Sequence, residues 1–324
     1  MRADLVERLC CPCCRDPLGL VVDVIHQSTG SINAGRLTCE PCGKRYPIVH
    51  GIPRFVESES YVASFGRQWT RYAVERVEED EETFETKTGF RLSELAGRDV
   101  LDAGCGGGRY SFVAARHGAR VVAVDMSRAI GRAAQLCAEF PNVDFVQADL
   151  LRLPLKECSF DLAFSIGVLH HSSDPAAAFR QVAATVRPDG RLAVWLYRRN
   201  TRFQECVNEF LRGLTRRMTV RQLEATATLG AVLGSVPLLN RTLNKLVNFS
   251  NHAVWENRLC DTFDWYSPRY QSHHTTAELM EWFRAAGFDE LRELAPAKSG
   301  RLYRWAYEHN MITGSGVNVV GTKL

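Results

Sequence analysis

"VLDAGCGGGRY", residues 100–110, decides the fold of this 324-residue chain. Val100, Leu101 and Ala103 surround Asp102 in a buried-strand pattern, and Gly104, Gly106 and Gly108 then open a bare-backbone turn. Outward from this stretch, ARVVAVD (119–125), VDFVQAD (143–149), FDLAFSI (160–166) and RLAVWLY (191–197) repeat the strand pattern. Helix-length segments separate them. The first should close near Gly118, and the second should start after Ser127, a capping candidate, and stop at Phe140-Pro141-Asn142. The third should begin at Asp174-Pro175, and Pro188-Asp189-Gly190 should turn the chain into the fifth strand. Strands alternating with helices at this interval predict a doubly wound, mostly parallel α/β sheet covered on both faces. Such sheets bind ligands beyond the carboxyl ends of their strands, which singles out the loops at 102–108, 125–128, 149–153 and 165–172.

Residues 199–272 interrupt the alternation. FQECVNEFLRGL has helical periodicity, and a second helical stretch from 220 to 249 is broken at Pro237. These helices read as an apolar cap over the ligand edge. The βα pattern resumes with Thr275-x-x-Glu278 as a capping box, a helix closing at Gly287 and FDELREL as a strand; GVNVVGTK (316–323) reads as a last antiparallel strand. Ahead of the sheet, Phe65, Trp69 and Tyr72 fall at helical spacings in an arm packed across the next domain.

A 45% hydrophobic composition supports real cores and excludes a disordered or fibrous chain, while a formal net charge of +3 is too mild to point to nucleic acid or membrane. The start, MRADLVERLCCPCC, lacks an apolar run behind a basic end, and LGAVLGSVPLL (229–239) falls short of the roughly 20 residues of a spanning helix. A soluble, cytoplasmic protein with no membrane span is expected.

Six of the eleven cysteines fall in the first 42 residues. Cys10, Cys11, Cys13 and Cys14 crowd together, and Cys39 and Cys42 form a second pair; two C-x-x-C pairs can supply four thiolates to tetrahedral zinc. Spacing alone leaves Cys10/Cys13 and Cys11/Cys14 both open. The frame L-x-C-P-x-C-x-x-P-L, followed by L-x-C-x-x-C-x-x-x-Y-P-I-x-x-G-I-P, resembles the Trm112-like zinc-ribbon family. That resemblance implies Cys11, Cys14, Cys39 and Cys42 as ligands of a structural zinc ion (Zn2+), in a domain of residues 1–57 ahead of a larger domain at 58–324. Replacing Cys39 with Ser is expected to release zinc and unfold the ribbon while sparing cofactor binding.

The glycine loop poses the question of cofactor. G-x-G-x-x-G for a nicotinamide dinucleotide would need glycine at 109, which is Arg109, and no G-K-[ST] follows for a phosphate loop. Instead, acids end three successive strands. Asp125 stands where a carboxylate can accept both ribose hydroxyls, Asp149 where one can accept from an adenine amino group, and Asp102 with the Gly104 carbonyl where they can face an ammonium group. VLDAGCGGGRY, VVAVDMS, FVQADLLRLPL, FDLAFSIGVLHHSSDP and VRPDGRLAVWLY together resemble the class I S-adenosylmethionine-dependent methyltransferases of the type 11, UbiE-like group. The resemblance implies a Rossmann-like seven-stranded sheet. It places S-adenosyl-L-methionine against Asp102, Gly104, Gly106 and Gly108 (methionine part), Asp125 and Met126 (ribose and adenine edge), Asp149 and Leu150 (base), with Ser165 completing the set.

A sulfonium methyl is already activated, so the protein must mainly align an acceptor and exclude water. His170 and His171, after the fourth strand, are the candidates for a general base, and His273 and His274 can line the cleft from the cap side. Arg198, Arg199, Arg202, Arg212, Arg216, Arg217 and Arg221 are either a phosphate grip or a solvated helix face balanced by Glu205, Glu209 and Glu224. The expected acceptor is a small-molecule or lipid-like biosynthetic intermediate, methylated at oxygen or carbon. The alternative is RNA, suggested by the ribbon and opposed by SIGV standing where an N-P-P-Y-type motif would be; a noncatalytic scaffold is the third reading.

Overall fold

The computed structural model describes residues 1–27, 30–56, 77–199, 202–236, 250, 254–295 and 316–324. Phe65, Trp69, Tyr72 and Pro237 lie outside these residues. Seven strands form the main sheet: β5 (Asp99–Ala103), β6 (Arg120–Asp125), β7 (Val143–Gln147), β8 (Phe160–Ile166), β9 (Val186–Tyr197), β10 (Phe288–Glu293) and β11 (Gly316–Lys323). Their spatial order is β10-β11-β9-β8-β5-β6-β7. β5 to β9 pair in parallel, while β11 runs antiparallel to both β9 and β10. Strand order reverses between β5 and β8, so the topological switch point falls at the glycine loop that follows β5.

Helices cover both faces: α3 (Arg109–Arg116), α4 (Ile130–Leu136), α5 (Pro175–Ala184) and α9 (Thr276–Ala285). The anticipated starts of α5 and α9 hold at atomic level. Asp174 accepts from the Ala177 N–H at 2.9 Å, and Thr275 from the Glu278 N–H at 3.2 Å. The Glu278 carboxylate, however, turns to His274 and Arg199 instead of back to the Thr275 N–H, so only half of the capping box forms. α4 begins three residues after Ser127, because the Ser127 hydroxyl donates to Asp125 at 2.7 Å while accepting from the Ala129 N–H at 3.3 Å. Its side chain serves the acid at the strand tip first and the helix second.

The amino-terminal segment carries α1 (Leu5–Arg8) and a four-stranded antiparallel sheet, β1 (Gly19–Ile25), β2 (Ile32–Thr38), β3 (Arg45–Val49) and β4 (Ile52–Pro53). Its apolar residues Leu5, Leu9, Leu37 and Ile48 join one continuous core with Leu101, Val122, Val146 and Leu153. The segment continues the main sheet past its edge strand: Arg54 bridges Gln147 in parallel, and the Phe55 N–H donates to the Gln147 carbonyl at 2.8 Å. This covers an edge that would otherwise be open to mispairing. Arg2 pairs with Asp144 at 2.8 Å, and Arg8 with the buried Asp99 at 2.5 Å.

Before β5, α2 (Val77–Thr88) packs Phe84 edge-on against Phe164, with ring centroids 5.3 Å apart. The interrupting region holds α6 (Arg202–Thr215), α7 (Val220–Ser235) and α8 (Trp255–Tyr266). Among the described residues, no helix is long and apolar enough to cross a membrane.

Candidate functional site

At the carboxyl edge of the sheet a cavity of about 270 Å³ is lined by Gly104, Gly106, Asp125, Met126, Asp149, Leu150, Gly167 and His171, among others. Residues anticipated from four separate loops therefore meet in one place. Asp125 is held by three donors: the Ser127 N–H (2.8 Å) and hydroxyl (2.7 Å) on Oδ1, and the Gly106 N–H (2.9 Å) on Oδ2. The strand-tip acid and the glycine turn thus fix each other. Asp149 accepts from the Leu151 N–H at 2.9 Å and starts the tight turn that presents Leu150. Gly104 has φ +95°, and a Cβ there would lie 2.4 Å from the Val168 methyls. Only glycine lets β5 turn this close to the loop after β8.

Asp102, Gly108, Ser165 and His170 stand behind the lining. Gly108 (φ +90°) packs on Ala133 of α4, where a Cβ would come within 2.8 Å. Ser165 donates to the Ala103 carbonyl at 2.7 Å, tying the tips of β5 and β8 together. Arg109, at the missing third glycine, swings over the start of α3 to pair with Asp80 of α2. Five further lining residues were not anticipated: Lys87, Arg109, Tyr110, Trp195 and Tyr197. Trp195 and Tyr197 carried a usable signal, since they end a strand on the ligand edge. Lys87 carried none; it arrives from α2, with its ammonium 4.2 Å from the centroid of the Trp195 ring.

Burial pushes the Asp102 carboxyl up to about 7; the Ser111 hydroxyl, donating at 2.6 Å, opposes this and the nearby Asp125 charge adds to it. In the unfolded chain an aspartate titrates near 3.9, so between about pH 4 and 7 the folded state binds the extra proton. Stability from this group is whole below that window and is lost as pH rises through it. Asp102→Asn, which cannot ionise, should flatten the fall in urea midpoint between pH 4 and 7; an unchanged pH profile would show that Asp102 is ionised throughout.

The histidine pair is split. His171 lines the cavity, and its Nδ1 lies 3.2 Å from the Tyr270 carbonyl, which can only accept, so Nδ1 carries the proton; Nε2 is buried in the wall. His170 is fully buried against the Tyr197 ring, centroids 4.0 Å apart, and neither ring nitrogen has a hydrogen-bond partner among the described residues. Burial, aided by neighbouring His171, His273, His274 and Lys87, holds it well below the usual histidine range. His274 bridges Ser272 (2.8 Å) and Glu278 (3.0 Å). His273 places Nδ1 2.5 Å from Glu205 and lines a second cavity under α6.

Among the described residues, four arginines of the run have partners in different places. Arg198 pairs with Glu293 (2.6 Å), Arg199 with Glu278 (3.0 Å) and Arg216 with Glu209 (3.0 Å), while buried Arg212 donates to the Trp265 and Pro268 carbonyls.

At the amino-terminal end, the sulfurs of Cys11, Cys14, Cys39 and Cys42 all lie within 4.8 Å of one another, with Cys11–Cys42 at 3.5 Å and Cys14–Cys39 at 3.4 Å. Tetrahedral zinc with bonds of about 2.3 Å separates its sulfurs by about 3.8 Å, so this donor set fits the ion. Each knuckle turns through a left-handed residue one position past its second cysteine, Arg15 (φ 67°) and Gly43 (φ 69°). Cys10 is buried and Cys13 exposed, and neither belongs to the group of four. Arg15 also reaches out of its knuckle to the Leu153 (2.6 Å) and Leu155 (2.7 Å) carbonyls, just beyond the Asp149 turn. Arg54 donates to the Gln147 side chain, which donates in turn to the carbonyl of Met126 at 3.0 Å. Hydrogen bonds from Arg15 and Arg54 therefore link the cysteine-bearing segment to the loops that form the cavity wall.

Comparison with known proteins finds matches to two separate stretches of the chain. Residues 101–194 match a family model described as a methyltransferase domain, and residues 2–51 one described as Trm112p-like protein. Among curated proteins, the O-methyltransferase resE of Aspergillus sclerotiorum is 33% identical over 126 residues, covering 35% of this chain and 48% of that protein. The ubiquinone biosynthesis O-methyltransferase of Coxiella burnetii is 36% identical over 108 residues, covering 33% of this chain and 46% of that protein. The chain thus spans about half the length of the curated relatives it matches. Among solved structures, magnesium protoporphyrin IX methyltransferase from Synechocystis PCC 6803 aligns over 81% of this chain and 93% of its own, at 18% identity and a TM-score of 0.45.

Proposed function

We propose that this chain, whose residues 101–194 belong to the methyltransferase family and whose residues 2–51 belong to the Trm112p-like family, transfers a methyl group from S-adenosyl-L-methionine to a small molecule. The observation that carries the reading is the convergence of Asp125, Asp149 and the Gly104–Gly106 turn on one cavity at the switch point of the sheet. S-Adenosylmethionine supplies a methyl group that its sulfonium centre has already activated. The residues of this chain hold and orient it: Asp125 accepts from ribose hydroxyls, Asp149 and Leu150 bracket the base, and the backbone of Gly104 and Gly106 lies against the amino-acid part. Asp102 sets the conformation of this turn from behind. Lys87, Trp195 and Tyr197 wall the acceptor side and exclude water.

Oxygen is the favoured target atom, since the relatives cited above are O-methyltransferases. His171 is the general base, with Nε2 as the proton acceptor in the tautomer set by Tyr270. His171→Ala should lower kcat by about 100-fold or more with cofactor affinity unchanged, the usual range for a positioned base being roughly 10²–10⁴. Equal loss of cofactor affinity would reassign the ring to binding. The four cysteines hold a structural zinc ion that staples the amino-terminal sheet, which is too small to fold on its own apolar burial.

The acceptor class is tested by incubating the full chain with labelled methyl donor against a panel of phenols, hydroxy acids and glycosides, and against total tRNA. Label is expected in a small molecule. Label in RNA alone would overturn the reading, and the pairing of Arg198, Arg199 and Arg216 with carboxylates speaks against that outcome.

A further inference from the structure

The second cavity, about 490 Å³, lies between α6 and residues 271–273. α6 has inverted polarity: Asn208, Arg212 and Thr215 are buried on its inner side, whereas Phe203, Phe210 and Leu214 are exposed on its outer side. A surface helix of a globular protein normally shows the opposite. The sequence pattern that suggested an apolar cap has its apolar stripe facing outward, so what the helix presents inward is hydrogen-bonding capacity.

Asn208 is the telling residue. It is 3% exposed, it lines the cavity, and neither its amide oxygen nor its amide nitrogen has a hydrogen-bond partner among the described residues. A buried amide left in this state destabilises the fold unless a bound group satisfies it. An amide offers an acceptor and a donor side by side, which suits a partner that also does both, a hydroxyl group above all. The charges in the wall are already matched: Glu205 with His273 (2.5 Å), Arg199 with Glu278 (3.0 Å), and Glu209 with Arg216 (3.0 Å) and Arg212 (3.9 Å), which also donates to the Trp265 and Pro268 carbonyls. An anion would meet the carboxylates of Glu205 and Glu209, and an aliphatic chain would strand the Asn208 amide. The cavity also adjoins the cofactor side. The His273 ring is 6.0 Å from that of Tyr197, which lines the first cavity, and the Ser272 N–H donates to the His170 carbonyl at 2.9 Å.

We infer that this cavity binds the polar part of the methyl acceptor and that this part is a neutral, hydroxyl-rich group such as a glycosyl ring. The inference rests on the methyltransferase reading for its link to catalysis, but binding itself is testable without a methyl donor. The full chain, labelled with nitrogen-15, is titrated with the methyl glycosides of glucose, galactose, mannose and rhamnose, and separately with inorganic phosphate and hexanoate. The Asn208 side-chain amide signal is identified by its loss in Asn208→Leu or, should that variant not fold, in Asn208→Ser. At least one glycoside should shift this signal saturably, with phosphate and hexanoate leaving it in place. No shift with any glycoside, or a shift with phosphate or hexanoate, overturns the inference. Because no cofactor is present, a negative result here leaves the methyltransferase reading standing, and that reading fails separately if S-adenosylmethionine does not bind.

Discussion

Asp125→Ala should weaken S-adenosylmethionine binding by about 100-fold in a calorimetric titration. Hydrogen bonds to an ionised group contribute roughly 1.5–3 kcal/mol each, and two ribose hydroxyls would be lost together, partly compensated by water entering the gap. A second loss compounds the first. The carboxylate also holds the Gly106 N–H and Ser127, so the glycine turn loses the group that fixes it against β6. Asp125→Asn separates the two contributions: its amide oxygen can still accept from Gly106 or Ser127, but the charge is gone, and an intermediate loss is expected. Affinity within threefold of the parent in Asp125→Ala would mean that the ribose does not sit at this strand tip.

Cys39→Ser should reduce bound zinc from one ion per chain to none, as read by elemental analysis, and should abolish the β1–β4 sheet. Structural zinc in small domains is bound with an apparent free energy of about 10–16 kcal/mol at neutral pH, comparable to or larger than the whole stability of a typical domain. The effect should travel. Arg15 holds the Leu153 and Leu155 carbonyls, and Arg54 reaches Met126 through Gln147, so loss of the ribbon frees the loop that bears Asp149 and Leu150. Cofactor affinity should fall about tenfold, equivalent to roughly 1.4 kcal/mol. Zinc retained in full in Cys39→Ser would count against the ligand set; zinc lost with affinity unchanged would show that the two regions are independent.

The parts of the molecule legible in the sequence are those where local chemistry and the final structure agree. β5, β6, β8 and residues 192–197 of β9 are largely apolar runs because both faces of a parallel sheet are buried, and the Asp174-Pro175 cap satisfies helix N–H groups a few residues away. Strand-tip acids were readable because the sheet places every carboxyl end on one edge. What stayed hidden depends on distant contacts. Nothing local to Lys87 shows that its ammonium reaches Trp195, more than a hundred residues on, and adjacent His170 and His171 differ only because one ring packs on Tyr197 and the other finds the Tyr270 carbonyl. The arginine run looked like one feature because its members are neighbours in sequence; folding sends Arg198, Arg199, Arg216 and Arg212 to Glu293, Glu278, Glu209 and backbone carbonyls respectively. Helical periodicity likewise revealed α6 without revealing that its apolar stripe faces outward.

Titration of the unmodified full chain with S-adenosyl-L-methionine, and in parallel with an oxidised nicotinamide dinucleotide, tests the assignment at its root. Saturable uptake of one equivalent of the sulfonium compound, with no heat from the dinucleotide, is the expected outcome. Tight binding of the dinucleotide with no uptake of S-adenosylmethionine would contradict it.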